Sequence, residues 1–409
     1  MDHGDFKEDR SFSSSLWNRE FVSLFAVVFL AYANISVFFQ FYEYLHTMSI
    51  DPRWYGVLIG FFSAVSLAVR PIVSPFFHAG NARRYLYAGT AMLIATLILY
   101  SLARTLWSLL LVRALHGLAF VFLGTALMSV IVGYIPKERS AQIFGFLAIL
   151  TLIPNTLIPP FLPFLTSRLG GFPGVLLLFA GITLVIFPLI LAVPQAATGP
   201  GTSMVQRRLA GQEILDDICD RKIVVTLMAM LLLYSGHALV FFFLDGHGRR
   251  IGITDTGFFL TLSTVSEIGV RLAAGSLFDR MSKARLAAWS MILITFGYAA
   301  LGYVSERTAF FSLGIVLGLG WGTAMPVLNG LIFDLSAPKY RAFNINLGLQ
   351  MFQGGFFLGP FIGGPMVVHC GFPALFYLCG AFSLLSASLL LYLEKEVRQA
   401  VVVAGPSSP

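Results

Sequence analysis

Twelve mostly apolar stretches, each about twenty residues long, follow one another along this 409-residue chain. That pattern constrains the fold more than any other feature. A helix of ~20 residues crosses the ~30 Å hydrocarbon core of a bilayer, and there every backbone N–H and C=O must find its partner within the segment, as a helix allows. The stretches are 21–42, 54–77, 85–103, 107–133, 142–165 and 174–194, then 222–244, 254–277, 285–304, 308–333, 342–367 and 372–393. Composition agrees: 57% of residues are hydrophobic, 39 are Phe and only 11% are charged, against ~25% charged in soluble domains. A soluble domain could not hide that much apolar surface, because a large part of any folded surface stays wet. The chain reads as an all-α polytopic membrane protein. A soluble enzyme, a disordered chain and a disulfide-built secreted scaffold are excluded.

The longest polar stretch divides the twelve spans six and six. The expected organisation is a tail (1–20), a first bundle (21–194), a linker (195–221), a second bundle (222–394) and a second tail (395–409). With both termini cytoplasmic, inside segments hold 18 Lys and Arg and outside segments 6, the bias that the positive-inside rule requires over short loops. The net charge of +7 does not point to nucleic acid, since the basic residues stand singly or in pairs between apolar runs. Cys219, Cys370 and Cys379 lack metal-ligand spacing. The first ~20 residues are polar and the apolar run after them is too long for the h-region of a signal peptide.

The halves repeat one another. Gly56, Val69, Arg70 and Arg84 match Gly257, Val270, Arg271 and Arg285 at an offset of 201, and PKERSAQ (136–142) matches PKYRAFN (338–344) at 202. Two parallel six-helix repeats imply alternating access, one bundle rocking against the other around a site near the midplane.

Three motifs make the chain resemble the major facilitator superfamily over nearly its whole length. GSLFDRMSKAR after helix 8 is similar to the family's G-x-x-x-D-R-x-G-R-R signature, on Gly275, Asp279, Arg280 and Arg285. RALHG on helix 4 is similar to R-x-x-Q-G, on Arg113, His116 and Gly117, and GFFLGPFIGG on helix 11 has the Gly-Pro spacing on Gly355, Gly359, Pro360, Gly363 and Gly364. The resemblance implies two pseudo-symmetric six-helix bundles and secondary active transport. It also implies that the loop around Asp279, Arg280 and Arg285 latches one conformation, with Asp279 pairing with Arg280 or Arg285. The glycines let neighbouring helices approach closely, and Pro360 frees a carbonyl and bends its helix.

There are departures. His78 replaces the signature Asp after helix 2, which should weaken that latch or make it pH-sensitive. Helix 5 reads TLIPPFLPF, with Pro159, Pro160 and Pro163 where drug antiporters carry a Gly-Pro signature, and helix 1 has no mid-helix acid. The arrangement on helices 2 and 4 looks like that of bacterial efflux permeases of the drug–proton antiporter type, a resemblance that implies a bacterial inner membrane.

Ionisable groups at bilayer depth are costly and usually functional. Glu267, near the middle of helix 8 with Arg271 four residues on, reads as a carboxyl that loads and releases a proton, or as a static ion pair. Arg113, about two turns into helix 4, needs a counter-group; Glu43 and Asn34 on helix 1 are the expected partners, which makes Arg113 and Glu43 proton-coupling candidates. Arg113, His116, Asn34, Asn155, His237, Arg271, Gln350 and Gln353 are candidates to bind substrate; each polar side chain could equally join helices. Arg70 and Arg271 are expected to bond neighbouring carbonyls near the gate, and Gly275, Arg70, His78, Gly359, Pro360, Asp279, Arg280 and Arg285 form the gating set.

No Walker-type loop or HExxH is present. The expectation is therefore a non-enzymatic, cofactor-free transporter exporting a small organic molecule in exchange for protons; the alternative is proton symport of an organic anion such as a monocarboxylate. A monomer in the lipid bilayer, without nucleic acid, is expected.

Overall fold

The computed structural model describes residues 19–73, 76–77, 80–134, 140–192, 220–278, 281–337 and 340–404. Among them there is no strand, and each of the twelve expected runs lies on a helix. Nine stretches are long and apolar enough to cross a membrane by themselves, and one of these, Phe343–Glu396, carries two runs. Large apolar side chains face outward on many helices, Leu272 at 73% exposure, Phe296 at 70% and Trp107 at 75%. In water such a surface would aggregate; in lipid it is the correct outside.

Helix 1 runs Arg19–Ser36, tightens into a 3₁₀ turn at Val37–Gln40 and resumes at Phe41–His46. Helix 2 is Tyr55–Val73, helix 3 Ala82–Leu99 and helix 4 Leu106–Tyr134. Helix 5 is Ser140–Leu157, broken at Pro159–Phe161 before Leu162–Arg168, because Pro159 and Pro160 withhold two N–H donors. Helix 6 is Phe172–Thr183 followed by Ile186–Ala192. Helices 7 to 10 are Arg221–Arg250, Gly257–Phe278, Lys283–Leu301 and Arg307–Leu335. Helices 11 and 12 lie within Arg341–Ala404 and are separated at Gly371, where the backbone leaves the helix with φ 81°. Only glycine adopts that conformation without strain.

Two boundaries differ from expectation by more than four residues. Helix 7 continues past 244 to Arg250, since Asp245 and Arg249 pair one turn apart and satisfy each other within the helix. Helix 12 continues past 394 into the expected tail. The expected linker 195–221 lies outside the described residues except for 220 and 221.

We call the face formed by 47–51, 101–105, 251–256 and 302–306 distal, and the face where helix 1 begins terminal. In the first bundle helix 4 packs on helices 2 and 3, and helix 1 on helices 5 and 6; in the second, helix 10 packs on helices 8 and 9, and helix 7 on the stretch that holds helices 11 and 12. The bundles meet along helices 2 and 11, 5 and 8, and 1 and 7.

These seams obey the internal repeat. A Cβ on Gly56 would strike the Pro360 carbonyl, and one on Gly257 would strike the chain at Pro159 and Pro160; Pro159 and Pro360 stand 201 apart, as do the two glycines. One turn further in, a Cβ on Gly60 would lie 2.8 Å from the Phe357 carbonyl, while the equivalent Thr261 hydroxyl donates to the Thr156 carbonyl at 2.7 Å. All of these contacts lie in the distal half.

Candidate functional site

The second bundle places a carboxyl at mid-depth. Glu267 lies ten residues from Gly257, ~15 Å into helix 8, and its side chain is 2% exposed. One turn on, Arg271 donates from Nη2 to Glu267 Oε2 at 3.2 Å and from Nε to the Gly322 carbonyl of helix 10 at 3.2 Å. Gly322 must be small: a Cβ there would stand 2.6 Å from Glu267 Cα. Beside this pair, the His237 ring of helix 7 meets Trp321 edge-on at 4.4 Å, and the Trp321 indole donates to the Tyr298 hydroxyl at 3.1 Å. Phe356 stacks on Phe352 at 4.4 Å and lies 6.0 Å from His237. His237 Nδ1 and, on helix 11, Gln350 Oε1 are buried without hydrogen-bond partners among the described residues, and Gln353 is buried. A buried carboxylate is tolerable only against its arginine; once it is protonated, Arg271 still keeps a carbonyl.

In the first bundle the expected partners are rearranged. Arg113 does not meet Glu43 or Asn34. Its Nε donates to the Leu58 carbonyl at 2.8 Å, its Nη2 to the Ile59 carbonyl, and its guanidinium lies 4.8–5.3 Å from the ring centroids of Phe38, Phe41 and Phe62. Among the described residues it forms no ion pair. Carbonyl dipoles and ring faces supply what a carboxylate would have supplied. His116, a turn on, meets the Tyr100 hydroxyl at 3.3 Å and packs between Phe38 and Phe62. Asn34 donates to Thr183 of helix 6 at 3.0 Å, and Asn155 accepts from Ser36 of helix 1 at 2.5 Å. Both join helices within the bundle. The Arg70 Nε is buried without a hydrogen-bond partner among the described residues.

The sequence model of the Major Facilitator Superfamily matches residues 24–343 and 250–407. The chain belongs to that superfamily. Quinolone resistance protein NorA of Staphylococcus aureus (strain N315) is 26% identical over 183 residues, covering 44% of this chain and 47% of that protein; the chain thus spans about half the length of these first curated relatives. Multidrug resistance protein MdtG of Proteus mirabilis is 22% identical over 385 residues, covering 89% and 93%. In fold, the chain is similar to the nucleoside transporter NupG, with TM-score 0.72, 14% identity and coverage of 92% and 99%. It is also similar to a bacterial homologue of the human lysosomal transporter Spinster, with TM-score 0.75, 13% identity and coverage of 91% and 96%.

Of the expected gating residues in this major facilitator, Asp279, Arg280 and His78 lie outside the described residues, and Gly275 lies on helix 8 with its surroundings undescribed. Arg285 takes its carboxylate from helix 12: Nε and Nη2 reach Glu394 Oε1 at 3.0 and 2.7 Å, and Ser282 reaches Oε2 at 3.0 Å. Gly359 packs on the Ser235 carbonyl of helix 7, 2.6 Å from where its Cβ would be. Glu43 faces the other bundle, 3.5 Å from Arg249 of helix 7, whose Nε also donates to the buried Asp245 at 3.2 Å; Thr256 donates to Asp245 at 2.5 Å. Sequence reasoning missed Asp245 and Arg249. Their spacing of four within one helix was the available signal.

Proposed function

We propose that this major facilitator is a proton-coupled exporter of a small organic molecule, working by alternating access. The observation that carries the reading is Glu267, a buried mid-span carboxyl held by Arg271 in the bundle opposite Arg113. The excess of basic residues in the segments on the terminal side supports cytoplasmic termini. Together with bundles sealed distally, that orientation gives a state closed to the outside. Export is supported by the names of the relatives, quinolone and multidrug resistance proteins. In the cycle, Glu267 takes a proton from the outside, cargo having left, and yields it inside where cargo enters.

The test uses proteoliposomes with an internal pH dye, comparing wild type with Glu267→Gln across cationic amphiphiles, monocarboxylates and neutral compounds. Wild type should show cargo-driven proton flux; Glu267→Gln should lose it while still exchanging labelled for unlabelled cargo. Proton flux surviving in the Gln variant overturns the assignment. Uptake of an organic anion with a proton is the second reading, favoured by Arg70 with its Nε lacking a partner among the described residues; protein-dependent acidification by a monocarboxylate would select it.

A further inference from the structure

The internal repeat isolates one residue whose chemistry the transport cycle above does not use. At an offset of 201, Arg113 of helix 4 corresponds to Gly314 of helix 10, and Leu58 of helix 2 corresponds to Phe259 of helix 8. In the second bundle the contact is direct, since a Cβ on Gly314 would lie 3.0 Å from the Phe259 carbonyl. In the first bundle Arg113 reaches the equivalent Leu58 carbonyl from Nε at 2.8 Å and takes the Ile59 carbonyl as well. One turn towards the terminal side the two bundles agree again. A Cβ on Gly117 would stand 2.6 Å from the Phe62 carbonyl, and Gly318 packs on the equivalent Ser263 carbonyl. The guanidinium therefore fills a gap at one level of an otherwise matching helix pair, with Phe38, Phe41 and Phe62 around it.

The level is the informative part. Leu58 and Ile59 lie between Gly56 and Gly60, the two positions at which helix 2 lies on helix 11 of the opposite bundle. A helix pulled from both sides must part from one of them when the bundles rock. The helix 2–helix 11 contact is close packing of glycine on backbone, with no side-chain hydrogen bond or ion pair among the described residues, whereas the helix 2–helix 4 contact carries charge-assisted hydrogen bonds, the stronger kind.

We propose that Arg113 is a positioning residue: it staples the distal half of helix 2 to helix 4, so that the surface between helices 2 and 11 is the one that opens. The proposal rests on the alternating-access reading. It assigns Arg113 neither a proton nor a ligand.

The test uses full-length protein in nanodiscs with the native cysteines replaced. Spin labels are placed at Trp54→Cys with Trp107→Cys to report helix 2 against helix 4, and at Trp54→Cys with Val368→Cys to report helix 2 against helix 11; all three side chains are exposed. In Arg113→Gln the helix 2–helix 4 distances should broaden while helix 2 stays against helix 11, and in Arg113→Lys, which can reach one carbonyl, the broadening should be intermediate. Turnover of the Gln variant should fall about tenfold, with KM and the pH midpoint of transport unchanged. Wild-type helix 2–helix 4 distances in the variants overturn the staple, and so does a moved pH midpoint or a raised KM at unchanged distances. If Arg113→Gln does not accumulate, Arg113→Lys decides by the same criteria. The distances need no cargo, so failure of the transport reading would show as absent flux in every protein and leave this arm standing.

Discussion

Ser66 is the counterpart of Glu267 in the first bundle, 201 positions earlier, and it does something different: its hydroxyl donates to the Phe62 carbonyl at 3.0 Å. The repeat therefore holds two equivalent places with one titratable group between them. Charged single residues at helix ends obey simpler rules. Glu306 caps helix 10, accepting from Ala309 N at 2.7 Å and Thr308 N at 2.9 Å, and the hydrogen bonds from Ala309 and Thr308 hold its carboxyl below the ordinary range. A depressed value means the cap stabilises the folded state at neutral pH and ceases to as pH falls through the carboxyl's own titration. Glu306→Ala should thus melt earlier than wild type at pH 7, and the gap should begin to narrow as pH falls below the ordinary carboxyl value of about 4; equal melting at pH 7 would show that the cap contributes nothing. The acid and its arginine on helix 8 were legible in sequence because charge in an apolar run is conspicuous. Arg113's partners were not, because its acceptors are main-chain carbonyls and ring faces, which leave no mark in residue type.

At the scale of one element, helix 7 shows how polar residues extend a span. Asp245, 1% exposed, sits between Arg249 and Thr256, and Arg249 reaches across to Glu43. The interbundle half of this arrangement is partly wet, with Glu43 at 25% and Arg249 at 42% side-chain exposure, so it contributes on the order of 0.5 kcal/mol. Glu43→Gln should raise the distally open population about twofold. Arg249→Gln should act more strongly, since it also leaves Asp245 buried with one hydroxyl for company. Distance measurements across helices 1 and 7 check both; equal effects would show that Asp245 takes no part. The helix boundary was misread in sequence because hydropathy falls at Asp245, whereas the pairing within the helix turns those residues into a continuation.

Across the whole molecule, the sealed seams are two copies of one contact, Gly56 on Pro360 and Gly257 on Pro159, differing one turn inward, where Thr261 makes a hydrogen bond and Gly60 cannot. Cross-linking Thr156→Cys to Thr261→Cys should hold the distal side shut and stop transport, and reductant should restore it. Transport continuing through the cross-link would mean that the distal seam does not part. The fold itself was legible: twelve apolar runs, the doubled pattern and the glycine spacing all follow from what a bilayer demands of a backbone. Packing between halves was not, because it depends on which carbonyl each small residue faces.

Because the repeat has a serine where its other copy has an acid, the proposed cycle through Glu267 would move one proton through this pair of equivalent places. A pH difference of one unit then contributes a cargo ratio of about tenfold at most, whatever the cargo. A carboxyl in only one of the two halves thus limits what this pair of equivalent places can draw from a pH difference.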